Sequence, residues 1–197
     1  LTGEFEGFIK TTCANAVRIT SALPAAGRYG QPYRHDFTTT GPATTTLSLS
    51  GALPPGLVFD SAGVISGTPT LAGIYPGLSV SVVGSPSATQ AFTLTIAKAP
   101  LTATALPATR RVGQANPTFL IEVTGLVGMD NPTVVNVLPT AQSPATPLSP
   151  VGTYPIIVSG GSDENYEFIY QPGTLTVTRG AWYLPIVTTQ PPALPRR

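Results

Sequence analysis

The sequence has few of the residues on which most catalytic and metal sites depend. Its 197 residues include one cysteine, Cys13, and one histidine, His35. A single cysteine excludes a disulfide within the chain, and a histidine-based catalytic group would have to contain His35. Because adjacent residues of a strand point to opposite faces, Asp36 is badly placed to assist its neighbour. We therefore expect His35 to be an exposed strand residue and the protein not to be an enzyme.

Charged residues are also scarce, at 10% of the chain with a formal net charge of +1. The ten lysines and arginines are scattered, whereas nucleic-acid-binding proteins usually carry a basic face. No apolar run is long enough to span a bilayer, and no secretory signal is visible. We expect no nucleic-acid partner and no membrane insertion. Because the chain begins with Leu1 and not methionine, we interpret it as a processed or excised piece of a longer product.

Helical patterns are nearly absent. No segment carries a sustained helical apolar stripe, and many of the 22 prolines interrupt the longer stretches. Short segments instead alternate apolar residues with serine or threonine, as in LSVSV (78–82), AFTLTIA (91–97) and GTLTVT (173–178). This alternation predicts strands with one buried face. Turn signals roughly every 8–12 residues favour a sandwich or a barrel.

One pattern occurs twice. AGIYPGLSVSV (72–82) and VGTYPIIVSG (151–160) each place a glycine and a tyrosine before a predicted strand, and the two tyrosines are 79 residues apart. That spacing suits two small domains. In immunoglobulin-like sandwiches a tyrosine at this point donates its hydroxyl to the backbone upstream, forming a tyrosine corner. We predict structural tyrosine corners at Tyr75 and Tyr154; the alternative is that each tyrosine only marks a turn into a strand.

Longer phrases carry a resemblance to known families. Residues from about 17 to 97 contain SGALPPGLVFDSAGVISGTPTLAGIY (50–75) and FTLTI (92–96), and they resemble the putative-Ig repeats of bacterial surface proteins. Residues from about 100 to 179 contain VTGLVGMDNP (123–132) and SPVGTYPIIVSGG (149–161), and they resemble the "mostly bacterial Ig" (MBG) family. The resemblance implies β-sandwiches in a secreted or cell-surface protein. It implies no catalytic residue and no cofactor.

These observations predict an all-β protein of two tandem immunoglobulin-like β-sandwiches with extended N- and C-terminal tails. The sandwiches occupy residues 17–97 and 101–179, joined by a linker at 98–100. An N-terminal extension covers residues 1–16, and a proline-rich C-terminal extension covers residues 180–197. A three-residue linker that includes a proline permits little independent movement, which predicts a stiff end-to-end rod.

The two extensions have no place in a plan of two sandwiches. An extended segment can add a strand to the sheet edge of a neighbouring copy, and contacts that do not close into a ring produce filaments. The alternative is that both extensions fold back on their own domains. The possible assembly contacts are the aromatic, aliphatic and cysteine residues of the extensions: Phe5, Phe8, Cys13, Trp182, Tyr183, Leu184, Ile186 and Val187.

The acidic segment GSDENYEF (161–168) is the one candidate for a metal site. Calcium takes six to eight oxygen ligands, often from several loops, so a weak site could form around Asp163, Glu164 and Glu167. We favour a solvated hairpin tip with Tyr166 and Phe168 facing inward. The arginine pair at 110–111 is interpreted as solubilising charge.

We therefore favour a non-enzymatic extracellular structural protein. It would act as a rod-like subunit or spacer of a bacterial surface fibre or adhesin, and it would form a homo-oligomer or filament through its tails. The alternative is a module of a larger adhesin or secreted hydrolase that binds a glycan or a host or cell-surface protein. Exposed aromatic residues would favour that alternative, and Tyr29 and Tyr33 are the candidates, although Tyr33 matches a family position and is expected to lie in the core.

Overall fold

The computed structural model describes residues 17–41, 46–82 and 87–180. The strands of the first sandwich are β1 (Arg18–Ile19), β2 (Gly27–Arg28), β3 (Tyr33–Asp36), β4 (Thr39–Thr40), β5 (Leu47–Ser50), β6 (Leu57–Phe59), β7 (Val64–Gly67), β8 (Gly73–Val82) and β9 (Ala88–Ala97). Those of the second are β10 (Ala99–Ala105), β11 (Ala108–Arg111), β12 (Ile121–Thr124), β13 (Thr140–Gln142), β14 (Gly152–Ser159), β15 (Tyr166–Gln171) and β16 (Gly173–Thr178). The predicted all-β fold is confirmed, because the described residues form sixteen strands and no α-helix. The eight possible assembly contacts in the extensions lie outside the described residues.

Two sheets form the first sandwich. One has the strand order β2-β9-β8-β5, the other has the order β3-β7-β6, and β1 pairs with β4. Apolar and polar residues alternate along β8 and β9, which gives each strand one apolar face. Leu78, Val80 and Leu94 on these faces are fully buried between the two sheets.

A tight hairpin joins β6 to β7. The amide of Gly63 donates to the carbonyl of Asp60 at 3.0 Å, and the amide of Val64 donates to Asp60 Oδ1 at 2.9 Å. Gly63 has a φ of +86°, which glycine adopts without the strain that a Cβ would cause. The hairpin returns the chain so that Ile65 is fully buried in the core.

The strands of the second sandwich are paired in a different order. One sheet has the order β11-β16-β14-β13 and the other has the order β12-β10-β15. Both β11 with β16 and β10 with β15 pair in parallel, so the first and last parts of this domain lie side by side. Its core includes the fully buried residues Leu101, Ile156 and Leu175.

His35 differs from its expectation. It is half-buried, and its ring packs edge-on against Phe37 with centroids 4.6 Å apart. The reason is the alternation of the chain at β3, because Tyr33, His35 and Phe37 share the inward face while Asp36 points away. Burial lowers the pKa of His35, opposed by the nearby Asp36 carboxylate. Its Nε2 has no hydrogen-bond partner among the described residues.

The structure also contradicts the interpretation of Arg110 as a solubilising surface charge. Its side chain is buried, and it donates to Asn116 Oδ1 at 2.7 Å and to the carbonyl of Thr146. Arg111, the next residue of the edge strand β11, is exposed. One arginine of the pair therefore faces inward and ties the loops of the second sandwich together.

Candidate functional site: the junction between the sandwiches

One residue separates the last strand of the first sandwich from the first strand of the second. Strand β9 ends at Ala97 and β10 begins at Ala99. Ala99 and Pro100, which the sequence places in a linker, pair with Tyr166 and Glu167 of β15. The remaining residue, Lys98, donates from Nζ to the carbonyl of Asp163 at 2.6 Å. The connection is therefore fixed by hydrogen bonds along its whole length.

A turn at residues 28–31 brings Tyr29 to the end of the first sandwich. The amide of Gln31 donates to the carbonyl of Arg28 at 3.2 Å, and the amide of Tyr29 donates to the carbonyl of Ala97 at 2.9 Å. The second bond attaches the turn to the last residue of β9. Tyr29 therefore lies where the chain enters the second sandwich.

Tyr29 and Tyr166 share one acceptor, Asp130. The Tyr29 hydroxyl donates to Asp130 Oδ2 at 2.9 Å and the Tyr166 hydroxyl donates to the same atom at 2.5 Å. The amide of Val127 donates to the Tyr166 oxygen at 2.9 Å. The two rings meet edge to face with centroids 5.4 Å apart, a favoured aromatic geometry. Because the acceptor is a carboxylate, both bonds are of the stronger, charge-assisted kind.

The junction also raises the pKa values of its two tyrosines. Burial, together with the hydrogen bond to Asp130, raises the pKa of Tyr29 to about 12. The same two causes, in the same order, raise the pKa of Tyr166 to about 12. Both phenols are therefore protonated donors at any physiological pH.

Apolar packing closes the junction around these polar groups. Tyr29 packs against a cluster of the second sandwich that includes Leu101, Leu126 and Val127. Gly30 allows the approach, because a Cβ at this position would lie 2.3 Å from Val127 Cγ1. Gly30 also has a φ of +68°, so both the backbone and the close contact require glycine.

A second polar contact crosses the junction through Asn165. The amide of Ala72 in the first sandwich donates to Asn165 Oδ1 at 2.9 Å, and the amide of Ala99 donates to the Asn165 carbonyl at 2.8 Å. Asp163 positions this asparagine, since its Oδ1 accepts the Asn165 amide at 2.7 Å. The side chain of Asn165 thus joins the two domains, while its backbone holds the start of β10 in place.

The acidic segment agrees only in part with the expected solvated tip: Glu164 and Glu167 are exposed and Tyr166 and Phe168 face inward, but Asp163 is built into the junction. Asp163 is buried, and its oxygens also accept the amides of Tyr166 at 2.9 Å and Asn136 at 3.1 Å. Those bonds use the oxygens that a calcium ion would need. In the part of the chain that the structure describes, no three acidic, histidine or cysteine residues are grouped so as to hold a metal ion.

The second sandwich repeats the turn that carries Tyr29. The amide of Gln114 donates to the carbonyl of Arg111 at 3.2 Å, and the amide of Val112 donates to the carbonyl of Thr178 at 2.9 Å. Gly113 has a φ of +85°, and a Cβ added to it would meet no atom of the described residues within 4 Å. Val112, in the place of Tyr29, is 43% exposed. The same end surface therefore occurs twice, and the second sandwich covers the first copy of it.

The tyrosines predicted as corners make the hydrogen bonds that define this motif. The Tyr75 hydroxyl donates to the carbonyl of Leu71 at 3.1 Å, and the Tyr154 hydroxyl donates to the carbonyl of Pro150 at 2.9 Å. Each bond spans four residues and secures the segment that leads into β8 or β14. The contribution of these bonds to stability stays a prediction.

The aromatic candidates for ligand binding have other partners. Tyr29 belongs to the junction, while Tyr33 packs on the core of the first sandwich and donates to the carbonyl of Ala25 at 2.9 Å. The sequence analysis missed the set of Tyr29, Asp130 and Tyr166. A signal was present in the related turn sequences RYGQ (28–31) and RVGQ (111–114), which differ at the residue that contacts the next domain.

Comparisons with solved structures return weak similarities. A putative alpha-galactosidase of Bacteroides fragilis is 22% identical over 46% of this chain and 20% of its own length, with a TM-score of 0.38. An I-band fragment of titin is 11% identical over 82% and 65% of the two chains, with a TM-score of 0.41. The four N-terminal Ig domains of a Dscam1 isoform are 13% identical over 86% and 47%, with a TM-score of 0.42. This chain spans less than two thirds of each.

A search of curated proteins found no match, and the described residues contain no helix with the length and apolarity of a membrane span. Family models do match the sequence. Residues 15–97 match the family described as Putative Ig domain, and residues 101–176 match the family described as MBG domain (YGX type). Domains of these families are generally non-enzymatic and are typical of bacterial surface and adhesin-type proteins. The chain is thus a tandem of two immunoglobulin-like domains, a Putative Ig domain followed by an MBG domain.

Proposed function

We propose that this chain is a rigid spacer of a bacterial cell-surface protein, located outside the cell. The observation that carries the proposal is the hydrogen bond from Tyr29 to Asp130 across the junction. A spacer must keep its length under thermal motion and under load. Relative movement is the default for domains that share a small interface, so a junction with specific polar contacts is a feature that a spacer needs.

The energetics support a stiff junction. Three side chains, those of Tyr29, Lys98 and Asn165, make hydrogen bonds between the sandwiches or along their connection. Each such bond contributes about 0.5–1.5 kcal/mol, and more where one partner is charged. With a connection of one residue, little of this is offset by the ordering of a flexible linker. Bending at the junction would break several of these bonds together.

Small-angle X-ray scattering tests the spacer function. We expect the maximum dimension of the protein to be that of two domains end to end, with a narrow distribution of interdomain distances. A variant with a short Gly-Ser segment inserted between Lys98 and Ala99 is the matched control, because both sandwiches stay intact while the connection lengthens. The spacer proposal fails if the two proteins show equally broad distributions.

The same proposal includes self-association through the terminal extensions. The extensions hold the assembly contacts expected from the sequence, among them Phe5, Cys13 and Trp182, and a string of spacers needs some means of continuing. Sedimentation velocity on the full chain and on variants lacking residues 1–16 or 181–197 tests this. We expect concentration-dependent association of the full chain that is lost in at least one shortened variant. A full chain that stays monomeric at all concentrations contradicts self-association and leaves the spacer proposal to be judged by scattering.

A further inference from the structure

The two sandwiches can be compared strand by strand because each contains the same turn, at residues 28–31 in the first and 111–114 in the second. In each, the strand before the turn pairs in parallel with the last strand, and the strand that carries the corner tyrosine lies beside that last strand. This comparison makes β2, β3, β5, β8 and β9 of the first sandwich equivalent to β11, β12, β13, β14 and β16 of the second.

The hairpin of β6 and β7 has no equivalent in the second sandwich. In the first, β7 pairs with β3, with His35 opposite Ile65. In the second, residues 143–151 connect β13 to β14 without a strand. Strand β12 pairs with β10 and has no strand on its other edge among the described residues. In the described part of the chain, β12 therefore keeps one open edge where no hairpin is added.

A groove of about 520 Å³ lies at this position, between residues 116–121 and residues 139–143. Its apolar lining is formed by Phe119, Ile121 and Ala141, which are half-buried and pack against the core of the second sandwich. In the first sandwich, β7 pairs with β3 and places Ile65 in the core, where it is fully buried. The other lining residues are prolines or polar residues without charge: Asn116, Pro117, Thr118, Pro139, Thr140, Gln142 and Ser143.

We infer that this groove is the acceptor for a strand donated by the C-terminal extension of a second copy, residues 182–188. The inference rests on the self-association proposed above. An open sheet edge beside an apolar groove is the arrangement in which a donated strand gains backbone hydrogen bonds along the edge and side-chain burial in the groove. The C-terminal extension can supply backbone groups for the edge and apolar side chains for the groove. Trp182, Leu184 and Ile186 occupy every second position along it, so in a strand they would share one face.

The two extensions differ in charge, and the difference favours the C-terminal one as the donor of the strand. Residues 181–195 contain no charged residue, which matches the uncharged lining of the groove, whereas the N-terminal extension carries Glu4, Glu6 and Lys10. Burying an unpaired charge in such a groove is costly. Pro185 lacks an amide hydrogen, so the donated strand can pair fully along only one edge. That condition suits a strand added at the outside of β12.

Distance favours a second copy over the same chain. The extension leaves from the end of β16, and β14 lies between β16 and β13 in the sheet. The end of β16 lies beside Gly152 of β14, whereas β13 pairs with β14 only from Ile157 onward, five residues further along that strand. The path to β13 is therefore roughly 10 Å across the sheet and roughly 17 Å along it, or about six extended residues. Residues 179–184 would be used in the crossing, which would leave Trp182 and Leu184 outside the groove. A segment from a second copy can place all of residues 182–188 in it.

The single tryptophan reports on the groove directly. We expect Trp182 of the associated full chain to be protected from acrylamide quenching and to emit at shorter wavelength than in the monomer. Ala141→Glu places a charged side chain in the groove, and Thr118→Glu does so from an exposed position that cannot disturb the core. We expect both variants to lose the protection and to dissociate at least ten-fold more readily. Ile74→Glu, on an exposed position of the first sandwich, is the matched control and should behave as the unmodified chain.

Each other outcome overturns the inference in a defined way. If the chain associates and neither groove variant weakens association, the groove is not the acceptor, while self-association stands. If Trp182 is protected in a dilute monomer and Thr118→Glu exposes it, the occupant is the same chain and not a second copy. If no association occurs at any concentration, both the inference and the self-association on which it rests are wrong. A synthetic peptide of residues 181–190 gives a test without substitutions, because it should compete for the groove and dissolve the assembly.

Discussion

Tyr29 and Asp130 lie 101 residues apart in the chain and in different sandwiches, yet they are joined by a 2.9 Å hydrogen bond. The bond exists only when both domains are folded and docked. It therefore couples the stability of one domain to that of the other. Such coupling is expected of two rigidly docked domains and not of two domains that move independently.

Removing the Tyr29 hydroxyl should weaken the coupling between the stabilities of the two domains. Tyr29→Phe keeps the ring but loses the charge-assisted bond, so we expect the stability of the docked pair to fall by about 1.5–3 kcal/mol. Calorimetry should show one cooperative unfolding transition in the unmodified protein and two less coupled transitions in the variant. The control is Tyr33→Phe, whose hydroxyl donates within the first sandwich. Equal loss of coupling in both variants would contradict a special role for Tyr29.

The repeated turn offers a matched pair of glycines. Alanine at Gly30 or Gly113 must adopt a left-handed backbone, which costs about 1–2 kcal/mol at either position. Only Gly30→Ala also brings a Cβ against Val127. We expect both variants to lower the unfolding temperature of their own domain, and only Gly30→Ala to change the relative orientation of the domains. Residual dipolar couplings measure that orientation, and an equal change in both variants would refute the argument.

The two tyrosine corners should stabilise their domains separately. Tyr75→Phe removes the bond to Leu71 and Tyr154→Phe removes the bond to Pro150, at an expected cost of about 0.5–1.5 kcal/mol each. Urea unfolding followed by tyrosine fluorescence measures the loss. The prediction fails if either variant unfolds at the same urea concentration as the unmodified protein.

Alkaline pH should weaken the junction. The pKa of Tyr29 is raised from 10.0 to about 12, so the folded state holds a proton that the unfolded state releases near pH 10. The stabilisation is fully present below pH 10 and is lost as pH rises towards 12, because folding must then oppose deprotonation. Tyr166 has the same shift. We expect the unfolding temperature to fall more steeply between pH 10 and pH 12 than in Tyr29→Phe. Parallel curves would contradict the prediction.

Arg110 should matter far more than its neighbour. Lysine at position 110 cannot donate to both Asn116 and Thr146 in the planar geometry of a guanidinium, so the buried cation loses at least one of its hydrogen bonds. We expect Arg110→Lys to destabilise the second sandwich by about 1–3 kcal/mol. Arg111→Lys, at an exposed position, should have no measurable effect on chemical denaturation. A similar loss in both variants would show that general charge, and not the buried contacts, is responsible.

Some features of this molecule could be read from local patterns. The alternation of LSVSV correctly predicted that Leu78, Val80 and Val82 face the core, because a strand side chain can only point to one face or the other. The family phrases correctly indicated two immunoglobulin-like domains in tandem. The same two-residue rule, applied to β11, would have placed Arg110 inward and Arg111 outward, a signal that reading the pair as surface charge ignored.

Other features depend on which distant segments meet. Nothing near Tyr29 in the chain indicates that Asp130 and Tyr166 will surround it, and nothing within residues 143–151 indicates that β12 keeps an open edge. Local patterning decides which side of each strand is apolar, since burial on one face needs only a period of two. Which strand ends next to which depends on closing two sandwiches and docking them, and only the folded chain as a whole satisfies those contacts.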